Sequence, residues 1–130
     1  MAEMSNFLEN ALINATLRNT TYTSVATVYV SLWTSDPTDA GSGTEVSTVG
    51  TSYARTAVTF GAPSNGVSTN SADVTFPTAT GSFGTVGWIG INDASTAGNL
   101  LYHTALDTAK AIDTGDIFKI TTGNLSVTLA

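Results

Sequence analysis

Residues 26–33 read ATVYVSLW, and this stretch decides the fold class because its apolar side chains recur at every second position. Val28, Val30 and Leu32 form the apolar set, and polar or aromatic residues stand between them. Successive side chains of a β-strand point to opposite faces of a sheet, so this spacing predicts a strand with one buried face.

Six further segments with strand character follow, separated by turns rich in Gly, Asn, Asp and Pro. They are YARTAVTF (53–60), SADVTFP (71–77), TVGWIGI (85–91), NLLYHTAL (99–106), DIFKIT (116–121) and NLSVTLA (124–130). In the second of these, the side chains predicted to face inward are Ala72, Val74 and Phe76. The third is apolar on both faces, which is typical of a central strand or of one that meets another subunit. The TTGN link at 121–124 predicts a tight hairpin connection.

The N-terminal segment has a different period. Residues 4–18 carry apolar side chains at three- and four-residue spacing, which predicts one amphipathic helix. The face consists of Met4, Phe7, Leu8, Ala11, Leu12 and Ala15. Ser5 or Asn6 is the expected N-cap.

These segments together predict an all-β fold with an N-terminal amphipathic helix. We expect an antiparallel β-sandwich or a small, jelly-roll-like barrel of about seven to eight strands. The 130 residues are expected to form a single domain, with a helical arm at 1–22 and a β-domain at 23–130. The connections are too short for crossover helices, which argues against an α/β fold.

Composition narrows the possible partners. Only 11% of the residues are charged, against ~25% in an average soluble domain, so a surface of Thr, Ser, Asn and Gly favours packing against copies of the chain or another protein. The net charge of −6 and four scattered basic residues argue against nucleic-acid binding. No signal peptide or membrane-spanning run is recognisable. We expect neither a membrane partner nor a small-molecule substrate.

A long acidic loop, SDPTDAGSGTEVSTVG (35–50), follows the first strand. Asp36, Asp39 and Glu45 miss the spacing of an EF-hand calcium loop, and the loop lacks the Lys of a phosphate-binding loop. A looser calcium site built on the two aspartates is the alternative. The loop is better interpreted as a flexible connector, and we expect no metal and no cofactor. Its length, beyond the ~2–5 residues of a hairpin loop, suggests contact with a neighbouring subunit.

Catalytic residues are not recognisable in the sequence. The chain has one histidine, His103, and no cysteine. His103 lies in the middle of a predicted strand, and no Gly-x-Ser-x-Gly nucleophile motif occurs. We interpret it as a packed or half-exposed strand residue and expect that the protein is not an enzyme.

Tyr29 and Trp33 share the strand face opposite the apolar set. Exposed aromatic side chains there would suit a carbohydrate-binding β-module. The other interpretation is that this face is covered by the N-terminal helix or by a neighbouring subunit, since interfaces also favour Tyr and Trp.

Three stretches carry a resemblance when they occur together in this order. They are VYVSLWTSDPTDAGSGTEVS (28–47), YARTAVTFGAPSNG (53–66) and FGTVGWIGINDASTAGNLLYHTAL (83–106). The chain resembles, along nearly its whole length, a family of small proteins encoded in tailed bacteriophages and prophages. Members of this family are labelled minor capsid, decoration or tail-fibre proteins.

The resemblance implies a structural virion protein. The leading hypothesis is a capsid cement or decoration protein that binds the major capsid protein and copies of itself, as a homotrimer on the capsid surface, after synthesis in the host cytoplasm. The alternative is a tail or tail-fibre component, and a carbohydrate-binding module ranks third. The residues predicted to lie at interfaces are Phe7, Leu8, Leu12, Tyr29, Trp33, Asp36 and Asp39. Whether the helix packs on its own domain or on a neighbour stays open at this point.

Overall fold

The computed structural model describes residues 2–129 and is dominated by β-strands, as the alternation predicts. Within that range it has nine strands and one helix, in the order β1 (Glu3–Met4), α1 (Asn6–Leu17), β2 (Val28–Trp33), β3 (Thr56–Val58), β4 (Val67–Thr69), β5 (Val74–Thr75), β6 (Gly84–Asn92), β7 (Leu100–Ile112), β8 (Lys119–Ile120) and β9 (Ser126–Thr128). The all-β prediction with an N-terminal helix is confirmed. The short strands β1 and β4 have no counterpart in the prediction.

The strands form one large antiparallel sheet and two small ones. The large sheet has the order β1-β7-β6-β2-β3, and the small sheets pair β4 with β9 and β5 with β8. The described strands do not close into a barrel, so the sandwich-like alternative fits better than the barrel. Strand β6 lies in the middle of the large sheet, which confirms the central position predicted for residues 85–91.

One face of the large sheet forms the core. Val30 and Leu32 are fully buried, and their register partners Ile91 and Ile89 on β6 are buried beside them. The small sheets cover this face with buried side chains that include those of Val74, Phe76, Phe118, Ile120 and Leu125. The apolar set of β2 therefore faces inward, as predicted.

The segment 71–77 is a shorter strand than predicted. Val74 and Phe76 are buried, but Ala72 is exposed, which corrects its predicted inward position. The side chain of Asn70 explains the difference, because its amide donates a hydrogen bond to the carbonyl of Ala72 at 2.9 Å. This bond holds the chain in a bend, and the ladder begins only at Val74.

The link at 121–124 is a turn but not a hairpin. The amide of Asn124 donates to the carbonyl of Thr121 at 3.1 Å, and Gly123 has φ 83°. The prediction of hairpin pairing is wrong, because β8 pairs with β5 and β9 pairs with β4. Asn70 separates the two strands, since its carbonyl accepts from Gly123 and its side-chain oxygen accepts from the amide of Leu125.

The helix begins at Asn6 rather than at residue 4, because residues 3–4 pair with β7 as a strand. Ser5 is the N-cap and accepts a hydrogen bond from the amide of Leu8 at 3.2 Å. Its own amide donates to the carbonyl of Leu101 on β7 at 2.9 Å. The start of the helix is thus fastened to its own sheet, and α1 packs on β7. Within residues 2–129, no helix combines the length and apolarity that crossing a membrane requires.

Candidate functional site

The second face of the large sheet is closed by the chain itself around Trp33. The indole Nε1 donates to Ser31 Oγ at 2.8 Å, and Ser31 Oγ donates to Asn92 Oδ1 at 2.7 Å. Gly90 provides the space, because a Cβ at that position would lie 2.7 Å from Ser31 Oγ and 3.0 Å from the indole nitrogen. Trp33 is 6% exposed, so its side chain cannot serve as an open sugar-binding platform. Tyr29 is half-buried.

The loop between β2 and β3 is ordered where it crosses this face, which corrects its interpretation as a flexible connector. Asp36 Oδ1 accepts from the amide of Thr38 at 2.9 Å, and Thr34 and Thr44 are joined through the backbone at 2.9 Å. The carbonyl of Asp39 accepts from the amide of Asn6, at the start of α1, at 2.9 Å. The loop therefore bridges the sheet and the N-terminal helix.

His103 lies beneath the two aspartates of this loop. It is 6% exposed, and its Nε2 lies 2.8 Å from Asp39 Oδ1. Its Nδ1 lies 3.9 Å from Asp36 Oδ1. The packed position predicted for His103 is confirmed. The two carboxylates are largely exposed, at 57% for Asp36 and 48% for Asp39.

Glu3 on β1 joins the same group. One ligand-type atom each from Glu3, Asp39 and His103 lies within 4.8 Å of the others. The spacing of these residues along the chain gives no metal motif, because positions 3, 39 and 103 meet only through the pairing of β1 with β7 and the crossing of the loop. Sequence reasoning missed this cluster for that reason.

A second polar cluster fixes the other end of the loop. Glu45 accepts a bidentate ion pair from Arg55, at 2.9 Å from Nε and 2.8 Å from Nη2, and a hydrogen bond from the Tyr53 hydroxyl at 2.6 Å. Arg55 also donates to the carbonyls of Ala94 and Ala97, in the β6–β7 turn. Burial and then the hydrogen bond to Glu45 raise the pKa of Tyr53 far above its usual range. The hydroxyl therefore stays a donor, and the cluster joins two loops.

The helix presents apolar side chains to solvent as well as to the sheet. Of the residues predicted to contact a neighbour, Leu8 is buried, Leu12 is half-buried and Phe7 is 42% exposed. Ile13 and Leu17, which the sequence interpretation did not include, are 52% and 79% exposed. We call Ile13 and Leu17, which lie one turn apart, the outward face of α1. Their spacing of four residues between Ile13 and Leu17 could have indicated a second apolar stripe.

Comparison with known protein families gives a match along nearly the whole chain. A family model described as Podophage GP4 fiber I protein gp80 matches residues 3–128. The matched range begins in β1 and extends to the end of β9. A search of curated proteins finds no match.

Proposed function

Because the chain belongs to the family of the podophage GP4 fiber I protein gp80, we propose that it is a structural component of a phage tail fibre. Membership makes it a bacteriophage virion protein, in agreement with the resemblance. The observation that carries the proposal is the extent of the match, which covers every described strand and the helix. The family description names a fibre, and for this chain that location is our proposal.

The same match favours the tail-fibre alternative over the leading hypothesis of a capsid cement protein. The fold does not distinguish them, because a β-domain with an N-terminal helix suits either position on the virion. The matched family supports the fibre, since its description names a fibre protein. The carbohydrate-binding alternative loses its strongest support because Trp33 is buried against its own chain.

We also propose that the role is architectural and not enzymatic. His103, the chain's one histidine, is buried among carboxylates rather than beside a serine nucleophile. The net charge of −6 disfavours nucleic acid as a partner. The proposed location is the virion, following synthesis in the host cytoplasm.

Copies of the chain itself are the partner that we propose for the outward face of α1. A helix normally turns its apolar residues toward a partner, and this one exposes Ile13 and Leu17 in addition to the stripe that contains Leu8. Heterologous, ring-closed contacts through such a face would give the homotrimer inferred from the sequence. The major capsid protein would be the partner only if the cement hypothesis holds.

Introducing two carboxylates on this face tests the contact. We expect the double variant Ile13→Asp, Leu17→Asp to be monomeric under conditions in which the unmodified chain forms trimers, because charged groups would have to be buried without partners. Native mass spectrometry gives the oligomeric state directly. Circular dichroism of the variant checks that the fold is kept, as expected for side chains that are 52% and 79% exposed.

Val49→Asp is the matched control, since Val49 is 84% exposed in the loop between β2 and β3, away from the helix. It should leave the trimer intact. A trimer that survives in the helix variant, or one that Val49→Asp disrupts equally, would place the interface elsewhere.

A further inference from the structure

We propose that Glu3, Asp39 and His103 form a binding site for one divalent transition-metal ion, with Zn²⁺ as the preferred occupant. The three residues come from β1, the β2–β3 loop and β7, and their ligand-type atoms lie within 4.8 Å of one another. In a tetrahedral zinc site with bonds of ~2.0–2.2 Å, ligand atoms lie about 3.3–3.6 Å apart. Small rotations of the two exposed carboxylates therefore bring the three atoms to coordinating distance.

The position of the imidazole matches the ordinary arrangement of a zinc-bound histidine. Nε2 faces Asp39 at 2.8 Å, on the side where the ion would lie. Nδ1 then carries the ring hydrogen and faces the carboxylate of Asp36 at 3.9 Å. Metal-binding histidines commonly direct their second nitrogen at a carboxylate, which fixes the ring and raises its basicity. Asp36 lies on that side of the ring, although 3.9 Å is too long for a direct hydrogen bond.

Charge and access support the same site. Among residues 2–129, Arg55 pairs with Glu45 and Lys119 pairs with Asp73. Within the same residues, no Lys or Arg forms an ion pair with the carboxylates around His103. A cleft of about 350 Å³ is lined by two of the proposed ligands, Glu3 and His103, and by Asp36, while the third ligand, Asp39, lines a separate cleft. The first of these clefts gives an ion a path from solvent and leaves room for water to complete the coordination.

The donor set selects the metal. One imidazole nitrogen with two carboxylate oxygens suits zinc and its neighbours, whereas calcium and magnesium prefer oxygen ligands alone. Since the ligands join the first strand, the loop and β7, a bound ion would fasten the N-terminal segment to the sheet. The proposal does not depend on where the protein lies in the virion.

Titration with ZnCl₂ of the full chain, prepared without a polyhistidine tag, tests the proposal. Calorimetry measures the binding and NMR follows the imidazole of His103. His103 is the chain's one histidine, so its imidazole proton signals are identified without assignment. We expect a stoichiometry of about one ion per chain, a displacement of both imidazole signals, and a higher Tm in the presence of zinc.

Glu3→Gln and Asp39→Asn should each weaken zinc binding about tenfold or more, since each removes a charged ligand. Glu9→Gln is the control, because Glu9 lies in the first turn of α1 and outside the cluster. Glu3 is exposed, so the Glu3→Gln variant is expected to fold. This variant therefore tests the site even if substitutions at the buried His103 disturb the core. Unchanged His103 signals at saturating zinc, or equal affinity in the Glu3→Gln and Glu9→Gln variants, would overturn the proposal. So would CaCl₂ binding as tightly as zinc.

Discussion

Replacement of Phe76 by Ala is expected to lower the free energy of unfolding by about 3–5 kcal/mol. Phe76 is 1% exposed and lies between two other rings, with its centroid 6.3 Å from that of Tyr53 and 5.7 Å from that of Phe118. Its loss leaves a cavity between the small sheets and the large one, which the short strands around it cannot close by moving together. Urea unfolding monitored by tryptophan fluorescence measures the change.

Phe7→Ala is the matched control, because the same side chain is 42% exposed at that position. Its effect on the free energy of unfolding should stay within about 1 kcal/mol. Similar destabilisation by the two variants would mean that Phe76 is not the centre of the core. Since the free energy of unfolding of natural domains is only ~5–15 kcal/mol in total, the Phe76→Ala variant should be partly unfolded in mild denaturant.

Glu45→Gln is expected to lower the free energy of unfolding by about 2–3 kcal/mol, because it leaves the charge of Arg55 without its counterion. The side chains of the pair are only 10% and 24% exposed, and the hydrogen bonds that Arg55 donates to Glu45 raise the pKa of Arg55 above its usual value. Arg55 remains charged in the variant even without this partner, because a guanidinium keeps its proton at neutral pH. Its bonds to the carbonyls of Ala94 and Ala97 would weaken too, so we expect faster amide exchange in the β6–β7 turn.

The control for this prediction is Lys119→Gln, which removes an ion pair with Asp73 whose side chains are 48% and 45% exposed. An exposed pair contributes ~0–1 kcal/mol, so the control should be nearly neutral. If Glu45→Gln lowered the free energy of unfolding as little as Lys119→Gln, the cluster of Glu45, Tyr53 and Arg55 would not be what holds the two loops together. The ordered conformation of the β2–β3 loop would then need another cause.

Period-two alternation predicted the strands that are long and packed on both sides, because in them each side chain's burial follows from its position in the ladder. Strand β6 is apolar on both faces and lies at the centre of the sheet, as predicted. Strands β1 and β4 are two and three residues long, and unlike the similarly short β5 and β8 they do not lie in a segment whose apolar residues alternate. Their pairing is decided by partners distant in sequence, Glu3 with His103 and Val67 with Thr128.

Long-range hydrogen bonds from single side chains explain the remaining differences. Asn70 bends the chain at Ala72 and also separates β8 from β9, and a lone Asn carries no sequence signal for either effect. Trp33 illustrates the same limit. The alternation along β2 correctly assigns its side chain to the second face of the sheet, but it does not show that the side chain is buried there. Only the fold shows that Ser31 and Gly90 let the indole pack there.

The candidate sites were predictable only in part. The helix pattern placed Leu8 on an apolar stripe, but the sequence could not show that its own β7 would cover that stripe and leave the outward face open. Asp36 and Asp39 were identified as notable, whereas their convergence on His103 depends on tertiary structure. For the virion location, composition and fold suit head and tail equally, and the family match supplies the preference for a fibre.

The most direct test of the central proposal is a cryo-EM map of the parent phage particle, with immunogold labelling by antibodies raised against this chain. We predict that the five-stranded sheet and α1 fit density in the fibres of the tail, and that gold particles decorate the same position. Density for this chain on the outer surface of the icosahedral head, with gold on the head and none on the tail, would contradict the fibre proposal and restore the cement hypothesis.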